Sequence, residues 1–286
     1  MSIIGRGRSR THVAVDIDGV DIFGIACLLF IFSYLIYILY YAIGLYELNP
    51  FLRPKPLSTK EIHQLKNSID FLHQLEETEL QLFYERTAWF KYKKTFAYRK
   101  GVRKKQEVEL LISAAAVALT LGMKNFKYIR SVQRIVIYPS DYFSLLNRRH
   151  HAGEYNPRLR TAVFSADSVQ SGFENTKDNV NLAIHEMAHA LCFETRRKNT
   201  WEARKFQAGL RKMREQLQDS DFQKRIKDSD YFREYGYSNL FEFFAVATEN
   251  FLETPKEFKG NFPELYELTK TMLNFDFSDP KSFPRK

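Results

Sequence analysis

The stretch "NLAIHEMAHALCFE", residues 181–194, carries His185 and His189 four positions apart, with Glu186 directly after the first. On an α-helix that spacing is about one turn, a displacement of roughly 6 Å along the axis on one face. Two imidazole nitrogens so placed can converge on one ion at about 2.0–2.1 Å each. Glu186 stands one step round the helix, where its carboxylate reaches a water at the ion without ligating it. The chemistry such a set supports is hydrolysis. A metal polarises a carbonyl and lowers the pKa of its water to about 7, and the glutamate carries the water's proton to the leaving amine. This is the H-E-x-x-H pattern of zinc peptidases. Leu182, Ala183, Ile184, Met187, Ala188, Ala190 and Leu191 flank it, so the helix is buried around its polar triple. An unpaired buried His-Glu-His set is costly, and a metal relieves that cost.

A catalytic zinc takes three protein ligands and keeps one position open. No third histidine follows at metzincin spacing, because Thr195 stands ten residues after His185. A carboxylate on a later helix is the alternative. Glu242, Glu249 and Glu253 all lie in "NLFEFFAVATENFLE", residues 239–253. Glu242 and Glu249 are seven apart and share a helix face. Glu242 directly precedes "FFAVA", which buries it beside the core, and spacing favours it over Glu249.

The elements that must hold these residues follow from periodicity. Ile62, Leu65, Ile69, Leu72 and Leu75 recur at helical spacing from about Ser58 onward. An aromatic-rich helix is expected over about 78–98, running into a basic cluster of Lys91, Lys93, Lys94, Arg99, Lys100, Arg103, Lys104 and Lys105. That cluster reads as a solvated helix face near anionic lipid rather than a nucleic-acid patch. "VELLISAAAVALTL", residues 108–121, is apolar all round but too short to span a bilayer, so it is a core helix. "QRIVIY" (133–138) and "RLRTAVFS" (158–165) are β-branched and read as strands. The second, taken over 159–165, is a candidate edge for pairing a peptide backbone. His150 and His151 read as exposed loop histidines among arginines. Asp178 or Asn179 is the expected cap of the histidine helix. Residues 201–226 are charged and helical. Helices, a few strands, then helices give a helix-dominated α+β domain.

The amino terminus is different. Residues 22–46 form an uncharged apolar run of 25 residues, long enough to cross a bilayer with some tilt. It exceeds the apolar core of a cleaved signal peptide, so a retained anchor is expected. Tyr37, Tyr40, Tyr41 and Tyr46 suit an interfacial aromatic belt. Arg6, Arg8 and Arg10 before the run balance Arg53, Lys55, Lys60 and Lys66 after it, so the positive-inside rule does not choose an orientation. "NPFLRPKP", residues 49–56, has three prolines and cannot continue the helix. The expected organisation is a tail (1–21), a transmembrane helix (22–46), a proline-containing linker (47–57) and one domain (58–286). Net charge is +9, which suits contact with an acidic surface. Two cysteines, Cys27 and Cys192, make no disulfide framework and favour a reducing compartment, with Cys192 a small buried apolar residue.

"HEMAHAL" followed by "EFFAVATENFLETP" resembles the zinc-dependent peptidases of the Mlc titration factor A family, a gluzincin-like group. "FKYKKTF", "SVQRIVIYPSDYF", "AVFSADSV" and Asn179–Val180 fit the same pattern. The resemblance covers about residues 60–260 and leaves the anchor outside. It implies a zincin-like domain with a small sheet, one zinc ion, and Glu242 as third ligand beside His185 and His189. It also implies that Tyr235 lies near the metal, where its hydroxyl could stabilise an oxyanion. One departure is "HHAGEYNPRLRTAVFS", where family members often carry an aromatic-containing turn with glycine; this bears on substrate preference.

The expected function is therefore a membrane-anchored zinc peptidase with Glu186 as general base. The family's cytosolic habit and the free thiols set its domain on the cytoplasmic side. Its partners are a peptide or protein substrate and the membrane, with nucleic acid disfavoured. The alternative is a regulatory protein that sequesters a partner, as the family's namesake does with a repressor of sugar uptake.

Overall fold

The computed structural model describes residues 19–42, 54–144, 149–233, 236–237 and 239–282. The chain divides into two compact units, residues 1–53 and 54–286.

In the first unit, residues Gly19–Ala42 form helix α1. Its stretch Ile22–Ala42 is, among the described residues, the one helix long and apolar enough to cross a membrane. Its large apolar side chains, Phe23, Leu28, Phe30 and Phe32 among them, are exposed. By length and composition it can serve as a membrane anchor or a signal sequence. Residues 43–53, including Tyr46 and most of the expected linker, lie outside the described residues.

The second unit begins with α2 (Thr59–Ser68), capped by Ser58 and Glu61 in a reciprocal capping box. A 3-10 turn (Asp70–Gln74) ends the first amphipathic stretch, and α3 (Glu77–Lys93) follows. The helix expected through 98 stops at Lys93, and Thr95–Tyr98 become strand β1. Helical periodicity of aromatics did not mark that break. Helix α4 (Lys105–Ala118) has an exposed polar first turn and is buried from Leu110 to Ala118 between α3 and two later helices, as a segment apolar on every side must be.

Four strands form the main sheet: β1, β2 (Arg134–Tyr138), β5 (Gly153–Asn156) and β6 (Thr161–Ser165), in the order β1-β2-β6-β5. The first three in that order pair in parallel, and β5 runs antiparallel to β6, with Tyr155 opposite Ala162. β3 (Tyr142–Ser144) and β4 (Arg149–His151) make a separate antiparallel pair. This corrects the expectation of an edge at 159–165: β6 is flanked on both sides, and the edge strands are β1 and β5. Ala162 and Phe164 are fully buried, as an interior strand requires.

Helices α5 (Ala166–Glu174), α6 (Leu182–Arg196), α7 (Trp201–Gln218), α8 (Ser220–Ser229), α9 (Leu240–Glu253), α10 (Pro255–Asn261) and α11 (Pro263–Leu273) complete the unit. The single helix expected over 201–226 is broken at Asp219, whose side chain caps α8 by accepting from the Phe222 N–H. Helix α6 packs against α4, α9 and both β5 and β6. Met187, Ala188, Ala190, Phe243, Phe244 and Phe251 are all fully buried in a core that joins α6 to α9. The architecture is helix-dominated α+β with a small mixed sheet, consistent with a zincin-like domain.

Candidate metal centre

Two caps set the register of the two helices that carry the candidate ligands. Helix α6 starts at Asn181, whose Oδ1 accepts from the Ile184 N–H at 3.2 Å and whose Nδ2 donates to the Gly172 carbonyl at 3.0 Å. The cap expected at Asp178 or Asn179 is therefore two or three residues later, after a turn in which Asn179 adopts a positive φ of 58°. Helix α9 starts at Asn239, whose Oδ1 accepts from the N–H groups of Phe241 and Glu242 at 2.9 and 3.1 Å. Satisfying these otherwise orphaned donors fixes the first turn of each helix. Glu242 stands in that first turn, and His185 stands one turn into α6.

Packing of α6 on α9 brings His185, His189 and Glu242 together. His185 Nε2 lies 3.2 Å from His189 Nε2 and 3.1 Å from Glu242 Oε2, and His189 Nε2 lies 3.4 Å from the same carboxylate oxygen. The three atoms form a nearly equilateral triangle. Ligand atoms at 2.0–2.1 Å from a tetrahedral zinc are separated by about 3.3 Å, the tetrahedral edge. The donor set is two imidazole nitrogens and one carboxylate oxygen, which is the borderline mixture zinc prefers. These residues fit a zinc ion, and the cluster could hold one.

The same contacts shift the proton affinities of His185 and Glu242. Burial alone would lower the His185 pKa, but its hydrogen bonds to Glu242 and Glu249 raise it to about 10. Burial works against ionising Glu242, yet His185 and His189 hold its carboxyl well below the usual range. Glu186 is buried, and that burial raises its carboxyl above the usual value, with His189 and His185 opposing. A buried carboxylate whose hold on a proton is raised in this way suits proton transfer.

The triangle opens into a cleft of about 550 Å³. Strand β5 forms one wall, with Gly153 directly over Glu186. A Cβ at Gly153 would come within 3.0 Å of both Cγ and Oε1 of Glu186, so only glycine leaves that carboxylate its place. Phe193, Phe241 and Tyr155 line the same cleft, and Phe193 stacks on Phe241 at 5.8 Å. His151 lies on this cleft, in β4, rather than in an exposed loop; its neighbour His150 is exposed. Tyr235 lies outside the described residues.

Glu249 has a different place from Glu242. Its Oε1 accepts from His185 Nδ1 at 2.7 Å, on the far side of the ring from the triangle. Its Oε2 accepts from the Asn181 N–H at 2.7 Å, and Arg233 pairs with Oε1. The side chain is 1% exposed. Spacing alone put Glu242 and Glu249 on one face; it did not show that they flank the same imidazole from opposite sides. Arg233 carried no sequence signal, since it joins the site only through the fold.

The matching family model is that of the glucose-regulated metallo-peptidase M90, over residues 47–273. An uncharacterized protein of Synechocystis is 26% identical over 244 residues, covering 78% of this chain and 86% of its own length. The family is the one that "HEMAHAL" and "EFFAVATENFLETP" resemble, and the match takes in α6, α9 and the whole sheet. The chain belongs to the glucose-regulated metallo-peptidase M90 family.

Proposed function

We propose that this chain is a zinc peptidase, held to a membrane by α1, in which His185, His189 and Glu242 ligate the metal and Glu186 is the general base. The observation that carries the reading is the triangle of two Nε2 atoms and one carboxylate oxygen with sides of 3.1–3.4 Å. Zinc in such a set supplies Lewis acidity and lowers the pKa of water at its open position.

The chain's own residues do the rest. Glu186, buried and with its carboxyl shifted upward, accepts a proton at its carboxylate and returns it to the departing amine. Strand β5 leaves one edge open toward the cleft, where an extended peptide adds as a further strand. Phe193, Phe241 and Tyr155 give that peptide apolar contact and keep bulk water from the reacting bond. Glu249 fixes His185 in the tautomer with Nδ1 protonated, so that Nε2 faces the ion. Tyr235 is the proposed oxyanion donor, a role that rests on the family resemblance alone.

The test compares the parent chain with Glu186→Gln. The expected result is equal zinc content and peptide cleavage at least about 100-fold slower in the variant. Equal cleavage by the two proteins would refute the role of Glu186. A protein that instead captures one stoichiometric partner, with no turnover in either form, would be the partner-holding scaffold.

A further inference from the structure

One surface is left unused by the proposed peptidase. Between Arg99 and Lys105 the chain places five cations in seven positions: Arg99, Lys100, Arg103, Lys104 and Lys105. All five are exposed. The segment leaves β1 through Gly101, whose φ of +98° favours glycine, and enters α4 at Lys104 in the left-handed region. This turn folds the cations back toward α2 and the end of α3. Lys60, Lys91, Lys104 and Lys105 there line one concavity of about 660 Å³.

The acids in that concavity are already engaged. Glu61 pairs with Lys91 at 2.6 Å and closes the capping box of α2. Glu107 accepts from Gln170 Nε2 at 2.7 Å and lies 3.4 Å from Lys104 Nζ. Among the described residues, Lys60, Lys100, Arg103 and Lys105 have no carboxylate within ion-pair distance. The sequence expectation of a single solvated helix face is thus corrected. Lys94 is turned inward onto the carbonyls of Tyr128 and Val132, and the exposed cations come from a loop and two helix starts.

We infer that this basic concavity and the 99–105 loop dock the domain onto a layer of anionic lipid headgroups. The inference rests on the reading of α1 as a membrane anchor. Two observations choose lipid over nucleic acid. The first is connectivity: only residues 43–53 separate α1 from Pro54, a reach of at most about 40 Å. Lys60 follows six residues later, so the tether holds these cations at high effective concentration beside the surface, and weak attraction suffices. The second is the state of the aromatic rings among the cations. Lys105 lies 5.0 Å from the Tyr98 ring centre, Arg99 lies 5.5 Å from that of Tyr138, and Lys93 lies 5.3 Å from that of Tyr92. Tyr98 and Tyr138 are also half-buried, and Tyr138 is stacked on Tyr142, which leaves little ring face open to stacking bases. Phosphate charge without base contact is what a headgroup layer offers.

The experiment places the full chain with vesicles of phosphatidylcholine alone or of phosphatidylcholine mixed with phosphatidylglycerol. A membrane-impermeant amine reagent then labels lysines, with exposed Lys212 and Lys256 as internal references. The expected result is flotation with both vesicles, and labelling of Lys60, Lys100, Lys104 and Lys105 reduced about fivefold only with the anionic ones. High salt should restore it. The combined variant Lys100→Glu, Arg103→Glu, Lys104→Glu, confined to exposed side chains, should lose the protection of Lys60 as well. Flotation with equal labelling in both vesicles overturns the docking face and leaves the anchor intact. Failure to float with phosphatidylcholine overturns the anchor, and protection by anionic vesicles then still upholds the basic face. Protection by a DNA duplex but not by anionic vesicles overturns the lipid assignment in favour of nucleic acid.

Discussion

Glu249 Oε1 sits 2.7 Å from Nδ1 of His185, while Nε2 of the same ring faces Glu242 and His189. One imidazole is therefore gripped at both nitrogens, once by a buried carboxylate tied to the cap of its own helix and once by the candidate ligand triangle. Replacing Glu249 with glutamine keeps the volume and removes the charge. Zinc affinity, read by competition with a chelator, should fall about 10- to 100-fold, the usual effect of losing such a partner. Unchanged affinity would mean that Glu249 serves packing alone.

Gly153 tests the opposite wall. Alanine there would bring a Cβ to 3.0 Å from Glu186 Oε1 and 2.6 Å from the Leu182 side chain. The Leu182 methyl can swing aside, but the carboxylate must move. Gly153→Ala should hold zinc as the parent does and cleave peptides roughly 10- to 100-fold more slowly, because misplacing a reacting group is costly. Parental turnover would show that Glu186 is not confined by β5.

The legibility of this site in the sequence was uneven, for physical reasons. His185, Glu186 and His189 announce themselves because helix periodicity alone brings them onto one face. Glu242 was readable because the apolar run after it demanded burial. The strand at 133–138 was visible from its β-branched residues, and the core helix at 108–121 from its lack of any polar face. β5, "GEYN", was not, since four half-buried residues of mixed type have no alternation to read. Arg233 and the far-side contact of Glu249 depend on how α9 and the segment before it close on α6, which no local pattern encodes. Residue type does not single out the cap at Asn181, because Asp178 and Asn179 are equally good capping types. Only the buried hydrogen bonds of Asn181 to Gly172 and Glu249 distinguish it.

Asn239 couples stability to the site. Its side chain holds the N–H of Glu242 itself. Asn239→Ala should cost about 1 kcal/mol in thermal or denaturant unfolding, the usual value of a cap, and should weaken zinc binding as well. A loss of stability with zinc affinity unchanged would show that the cap does not set the position of Glu242.

Glu253 gives a pH dependence. Burial raises its carboxyl to about 8, and the nearby Glu249 and Asp178 push the same way, while Asn181 and Asn179 oppose. Neither oxygen has a hydrogen bond of normal geometry, and the residue borders a cavity of only about 50 Å³. In the unfolded chain a glutamate ionises near 4.3. Between these two values the folded state binds the extra proton, so this group makes stability fall as pH rises from about 4.5 to 8. Glu253→Gln should therefore unfold nearly like the parent at about pH 5 and be more stable than it at about pH 9, by about 4 kcal/mol, since roughly three pH units at about 1.36 kcal/mol each separate the two conditions below the folded value. A variant equally or less stable than the parent at the higher pH would contradict this.

The most direct test of the central claim is metal content measured with ligand identity, on purified parent chain and on His185→Ala, His189→Ala and Glu242→Ala. The expected result is one tightly held zinc per parent chain, bound by two imidazole nitrogens and one carboxylate, and lost in each of the three variants. A parent chain with no firmly held transition metal, or a Glu242→Ala variant that binds zinc as tightly as the parent, would contradict the account.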